Sequence, residues 1–250
     1  MNIRKRLSAS ALFKRVRQGF AKVTDKRVGN ATILMVDVLM SAFAMFSLKD
    51  SSLRIFENRR GNPTELSNLK NVYGIDNVPS DTAMRDILDP VEPEELRPIF
   101  KDLFNQLQRG KTLEKFRYMG RYYILSADGT SYFSSKKIHC DSCLERKNSK
   151  SGTITYSHQL YGAAIVHPNL NQVIPLMPEQ IIKQDGESKN DCERNASKRF
   201  FEQFKKDHPH LRVIVVEDAL SANAPHIREL QKHGFKYVLG VKAGDHQFLF

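Results

Sequence analysis

The chain has 250 residues, 40% of them hydrophobic, which is enough to bury a proper core as one large domain or two of ordinary size. Three cysteines are too few for a disulfide framework at this length, so a reducing compartment is expected. Thirty-nine Lys and Arg against 28 Asp and Glu leave a formal charge of +11, which favours a polyanionic partner: DNA, RNA or an acidic membrane face. Residues 1–29 hold nine of the cations (Arg4, Lys5, Arg6, Lys14, Arg15, Arg17, Lys22, Lys26, Arg27) against the single acid Asp25, a terminal block suited to phosphates or to a solvated tail. Met1 to Arg6 is basic, but no apolar stretch follows directly, so no signal peptide is read.

Helices are expected up to about residue 115. Ser8 or Ser10 caps a short amphipathic helix through Gln18. Residues 31–48 (ATILMVDVLMSAFAMFSL) are apolar enough to raise the question of a membrane span. Asp37 lies inside this run, and a charge at mid-membrane depth costs on the order of 3 kcal/mol. A buried core helix is therefore expected, and with it a soluble, cytoplasmic chain. A turn of helix follows over residues 51–57, then a helix from Asn62 or Thr64 to Tyr73, stopped by Gly74. Two more run from Ser80 through Leu88 and from Pro93 to Gln108, the latter ended by Gly110.

After Lys115 the apolar period shortens. Residues 121–128 (RYYILSAD), 156–167 (YSHQLYGAAIVH) and 171–178 (NQVIPLMP) read as strands. Residues 189–207 have helical spacing, and residues 211–216 (LRVIVV) form a β-branched run of the buried parallel type. A helix over residues 224–233 and a strand over 236–242 complete the order β-β-β-α-β-α-β. Three leading strands point to an α/β fold with a mixed sheet that begins as an antiparallel meander. The domain reading is a helical region over 1–115 and an α/β region over 116–250.

Two acids occupy equivalent places in that order. Asp128 ends the first strand and Asp218 ends the fourth, and these two strands can lie side by side. Both carboxylates would then share one sheet edge and hold Mg²⁺ together with water and a substrate phosphate. Metal ions there suit phosphodiester displacement. Either Asp alone reads equally as a turn former.

The blocks 126–135 (SADGTSYFSS), 184–199 (QDGESKNDCERNASKR) and 213–226 (VIVVEDALSANAPH) resemble insertion-sequence transposases of the DDE class, in the insertion-sequence-four-like group. The likeness covers most of the chain. It implies a ribonuclease H-like core, with Asp128 and Asp218 as the first two of three acids that bind Mg²⁺ (or Mn²⁺) for DNA cleavage and strand transfer. The 89 residues between them suit that family. The resemblance also implies double-stranded DNA at transposon ends as partner, a homodimer on that DNA, and a place on the nucleoid. The family's third acid, a Glu on a later helix, has no counterpart before Phe250, so a fragment inactive alone is expected. A DNA-binding regulator of a complete transposase is the alternative. A ribonuclease H-type nuclease is another, since such enzymes place a metal-binding Glu where Glu193 falls. The plainer expectation for Glu193 is an exposed acid paired with Arg194 or Lys198.

Cys140 and Cys143 form one C-x-x-C pair, with His158, His167 and Cys192 elsewhere as further soft ligands for structural Zn²⁺. One such pair without a second at fixed spacing is a weak signal, and free thiols in a loop are the expectation. Residues 134–150, read as a loop, carry Lys136, Lys137, Arg146, Lys147 and Lys150, which suit DNA phosphates.

Overall fold

The computed structural model describes residues 6–29, 31–183, 193–242 and 244. The chain divides into two compact units, Met1–Leu113 and Glu114–Phe250.

The first unit is built on helices α1 (Ala9–Phe20), α2 (Met35–Ser47), α3 (Leu53–Asn58), α4 (Pro63–Asn68), α5 (Asp81–Leu88) and α6 (Arg97–Arg109). Ser8, Ser52, Asn62 and Ser80 cap four of them, their side-chain oxygens accepting from backbone N–H groups of the first turn. A π-turn, Leu69–Tyr73, prolongs α4 until Gly74 adopts the left-handed conformation that only glycine takes at little cost. The apolar run beginning at residue 31 yields only the 13-residue α2, because Leu34 is extended and starts the helix late. Among the described residues no helix is long and apolar enough to cross a membrane.

Helix α2 forms the centre of this core. Val38, Met40, Ala44 and the carboxylate-bearing Asp37 are fully buried. A buried charge needs partners, and Asp37 has two: Arg17 Nη1 donates at 3.0 Å and the Asn77 backbone N–H at 3.1 Å. Beside them Phe13 stacks on Tyr73 with centroids 5.1 Å apart. The basic N-terminal block is therefore partly neutralised within its own unit. Arg15 pairs with Asp102 at 3.2 Å, Lys26 with Glu92 at 2.9 Å and Arg27 with Asp25 at 2.6 Å. Sequence-distant acids supply most of this compensation, and no local charge count reveals it.

The second unit is α/β. Its strands are β1 (Arg117–Tyr118), β2 (Tyr122–Ser135), β3 (Leu144–Lys147), β4 (Ile154–Val166), β5 (Ile174–Pro175), β6 (Glu179–Ile181), β7 (Val213–Glu217) and β8 (Lys236–Leu239). Helix α7 (Glu193–Asp207) precedes β7, and α8 (Ala224–Lys232) joins β7 to β8. The main path through the sheet is β3-β4-β2-β7-β8. The β2–β4 pair is antiparallel, whereas β2–β7 and β7–β8 are parallel. This is the mixed α/β sheet that the sequence leads one to expect.

Three expectations need correction. Asp128 does not end its strand, because β2 continues to Ser135 along the equally long β4, with a bulge between Ser131 and Phe133. Residues 171–178 do not make one strand. Pro175 and Pro178 lack the N–H a ladder needs, and the edge of β4 is instead filled by β3, β6 and β5 in turn. Residues 134–150 are not a simple loop, since β3 lies within them. Lys189 to Cys192, which the sequence placed in the helix, lie outside the described residues.

Alternation along the strands buries one sheet face. Tyr123, Leu125 and Ala127 of β2, Tyr161, Ala163 and Ile165 of β4, and Val213, Val215 and Glu217 of β7 are all buried. Phe200, Phe201 and Phe204 of α7 cover this face, with Phe201 5.7 Å from Phe235 and Phe200 5.5 Å from Tyr161, centroid to centroid. Arg199 fastens α7 to the sheet edge by donating to Glu179 at 2.8 Å and to the Gln180 carbonyl at 2.7 Å.

Candidate functional site

Asp128 lies within β2, and Asp218 follows directly on the last residue of its parallel neighbour β7. The β2–β7 ladder runs from Tyr123 opposite Val213 to Ser126 opposite Val216. Asp128 and Asp218 each lie two residues beyond that last pair. Both are exposed. Each has one carboxylate oxygen held by nearby backbone: Asp128 Oδ1 accepts from Gly129 N–H at 2.8 Å, and Asp218 Oδ1 from Leu220 N–H at 2.9 Å.

For Glu193 the sequence expectation fails. It is half-buried, and its carboxylate lies against Gly129 rather than in solvent beside Arg194. Burial pushes its carboxyl above the ordinary range, and the charges of Asp128, Asp218 and Glu217 push the same way. The Gly129 backbone N–H opposes them. Gly129 makes the approach possible. A Cβ at that position would come within 2.5 Å of Glu193 Oε2.

Beneath the edge lies a polar network that the sequence reading missed. The Tyr161 hydroxyl donates to Glu217 Oε1 at 2.6 Å, and His226 Nε2 stands 2.6 Å from Glu217 Oε2. Ser221 Oγ adds a 3.3 Å hydrogen bond to Oε1. Burial, followed by the Glu217 charge, pushes the Tyr161 phenol well above its usual range, so it stays a donor. Glu217 immediately precedes Asp218, and this anchoring fixes where β7 ends. The signal was present in the alternation of VIVVE, which puts Glu217 on the same face as the buried Val213 and Val215. A cavity at this place is lined by Tyr161, Glu193, Ser197, Glu217, Leu220 and His226.

A second group gathers where β2, β3 and β4 meet. His158 Nε2 lies 3.3 Å from both Cys140 Sγ and Cys143 Sγ, and the sulfurs are 3.8 Å apart. These three residues could hold a metal ion. Of the other ligands considered, His167 accepts from the Asn169 N–H at 3.2 Å and is not in the group, and Cys192 lies outside the described residues. Lys136, Lys137, Arg146, Lys147 and Lys150 are all exposed on this hairpin.

The unit is thus an α/β domain with a mixed sheet and a carboxylate-lined strand edge. No family model matches the chain, and no curated protein matches it. Among solved structures, a piggyBac transposase synaptic complex with hairpin DNA is similar over 96% of this chain, at 13% identity and a TM-score of 0.38. The chain spans 52% of the length of that one. A score this low defines neither fold nor function.

Proposed function

We propose that the chain cleaves phosphodiester bonds in double-stranded DNA with a divalent metal, as a transposase of the DDE class or part of one, and that Asp128 and Asp218 are its metal ligands. The observation that supports this reading is the parallel pairing of β2 with β7, which leaves Asp128 two residues past the last paired residue of β2 and Asp218 directly after β7, with the Glu193 carboxylate close against Gly129. The donor set fits a hard cation. Burial first, and then the charges of Asp128, Asp218 and Glu217, raise the Glu193 carboxyl above its ordinary range, and a small cation with oxygen preference would relieve the repulsive part. When bound, Mg²⁺ would polarise a phosphoryl oxygen and lower the pKa of a water. The protein's part is to hold Asp128 and Asp218 from two adjacent strands, while the Tyr161–Glu217–His226 network keeps the end of β7 in place. From the resemblance the reading takes transposon ends as substrate and a homodimer on the nucleoid as the working form.

Glu193 favours a second reading, a ribonuclease H-type nuclease in which three carboxylates (Asp128, Glu193 and Asp218) bind the metal. Incubation of the purified chain with supercoiled plasmid and with an RNA–DNA hybrid, in Mg²⁺ or Mn²⁺, separates the two. Nicking of plasmid that vanishes with EDTA, and in Asp128→Asn and Asp218→Asn, is the expected result. Cleavage of the hybrid alone supports the second reading. Duplex binding without any cleavage would make the chain a DNA-binding regulator and remove the enzymatic reading.

A further inference from the structure

The two thiols of the β2–β3 connection and the imidazole of His158 on β4 form a geometry that hydrogen bonding alone explains poorly. A single imidazole N–H points along one line, yet Nε2 of His158 is equidistant, at 3.3 Å, from both sulfurs. The sulfurs are 3.8 Å apart, far beyond the roughly 2.05 Å of a disulfide. Tetrahedral zinc, with Zn–S near 2.3 Å and Zn–N near 2.05 Å, requires edges of about 3.8 Å between sulfurs and about 3.5 Å between sulfur and nitrogen. The observed triangle matches those edges within a few tenths of an ångström.

The backbone is also folded as a cysteine knuckle. Cys143 N–H donates to the Cys140 carbonyl at 3.1 Å, and Cys140 N–H donates to Cys143 Sγ at 3.4 Å, which turns both side chains the same way. His158 is set by β4, where it pairs with Phe133 of β2, and its ring stacks on Tyr132 with centroids 5.9 Å apart. His139, between the lysines and the knuckle, is taken up by stacking on Tyr156 at 4.3 Å and is no competitor.

We propose that Cys140, Cys143 and His158 bind one Zn²⁺, which clasps the β2–β3 connection to β4 and so holds the basic hairpin in a fixed shape. Thiolate and imidazole donors select zinc over the oxygen-seeking Mg²⁺ of the carboxylate edge. Binding displaces the two thiol protons to solvent, and the fourth position is left to water on the side where Cys140 is exposed. The site is separate from the acids. Asp128 is opposite Gly162, and His158 lies four residues along β4 from there, about 13 Å at strand rise. The clasp lies between Lys136 and Lys137 on one side and Arg146 and Lys147 on the other, so its loss frees exposed tryptic sites.

The test needs no DNA and no activity. Protein purified without chelator is assayed for metal, stripped, and titrated with Zn²⁺ and with Co²⁺ as a spectroscopic probe. The expected result is about one zinc per chain, a thiolate-to-cobalt charge-transfer band, and tryptic cleavage at Lys136 and Lys137 that appears on stripping and is reversed by zinc. Cys143→Ser and His158→Ala each lose the metal. Wild-type protein that takes up neither ion overturns the proposal whatever the variants do, as does undiminished zinc binding by both variants. The wild-type titration guards against a variant that fails to fold.

Discussion

Tyr161 and Glu217 are joined by a 2.6 Å hydrogen bond although they belong to strands that do not touch: β2 runs between β4 and β7. The bond spans the middle strand on its buried face, at the level where β2 presents Ala127 and Gly129. Small residues there leave room for it. The contact ties together the three strands that form the carboxylate edge.

Removing the hydroxyl alone should therefore be costly. Tyr161→Phe leaves a buried carboxylate oxygen short of its strongest donor, and about 2 kcal/mol of stability should be lost. Urea unfolding of the chain and the variant measures it; equal midpoints would show that Ser221 compensates fully.

Gly129→Ala should crowd Glu193 and destabilise by about 1–3 kcal/mol, the usual range for an added methyl in a filled site. Truncation of the opposing acid relieves the clash. A double-mutant cycle with Glu193→Ala should give a coupling above 0.5 kcal/mol, whereas simple additivity would mean that the contact does not hold in solution.

The raised Glu193 carboxyl has a defined consequence for pH. A folded-state pKa above the unfolded value means that the native state binds more protons across the interval between them. Stability must then fall as pH rises through that interval, above the ordinary Glu range. Glu193→Gln should flatten this slope and make the metal-free protein more stable at neutral pH. Melting curves taken from pH 4 to 8 check both, and a variant whose slope equals wild type contradicts the raised Glu193 carboxyl.

Mg²⁺ should reverse the same repulsion. A cation bound only by the folded chain adds about 2.7 kcal/mol at a hundredfold excess over its dissociation constant. The melting temperature of wild type should rise with Mg²⁺, and that of Asp128→Asn should not. Parallel shifts in the two proteins would place the bound cation elsewhere.

In the helical unit, Arg17→Met should cost about 3–5 kcal/mol by leaving Asp37 buried with only the Asn77 N–H. Asp37→Asn in the Arg17→Met background should recover part of the loss, which thermal unfolding reads directly. No recovery would mean that Arg17 acts through packing over Gly74 and not through charge.

Much of this was legible from residue order. Ser8, Asn62, Ser80 and Gly74 mark helix ends because capping and left-handed geometry are local chemistry. The strand around Asp128, the β-branched run before Asp218 and the alternation of helices with strands follow from side-chain period. Those features also sufficed to expect the strand that holds Asp128 and the strand before Asp218 as neighbours, as β2 and β7 are.

What the chain order could not settle were meetings between sequence-distant groups. Whether Glu193 faces solvent or packs against β2 depends on how closely α7 approaches that strand, and Gly129 decides that only once the helix is docked. His158 comes to Cys140 and Cys143 because β4 runs antiparallel to β2 in one particular register; a shift of one residue would turn its ring to the other face. Arg17 and Asp37 likewise look like a tail charge and an interruption of an apolar run until packing makes them a pair. Local sequence set the elements because backbone and side-chain preferences act within a few residues. The sites were decided by tertiary contacts, since charge, ligation and steric fit act across space between residues far apart in the chain.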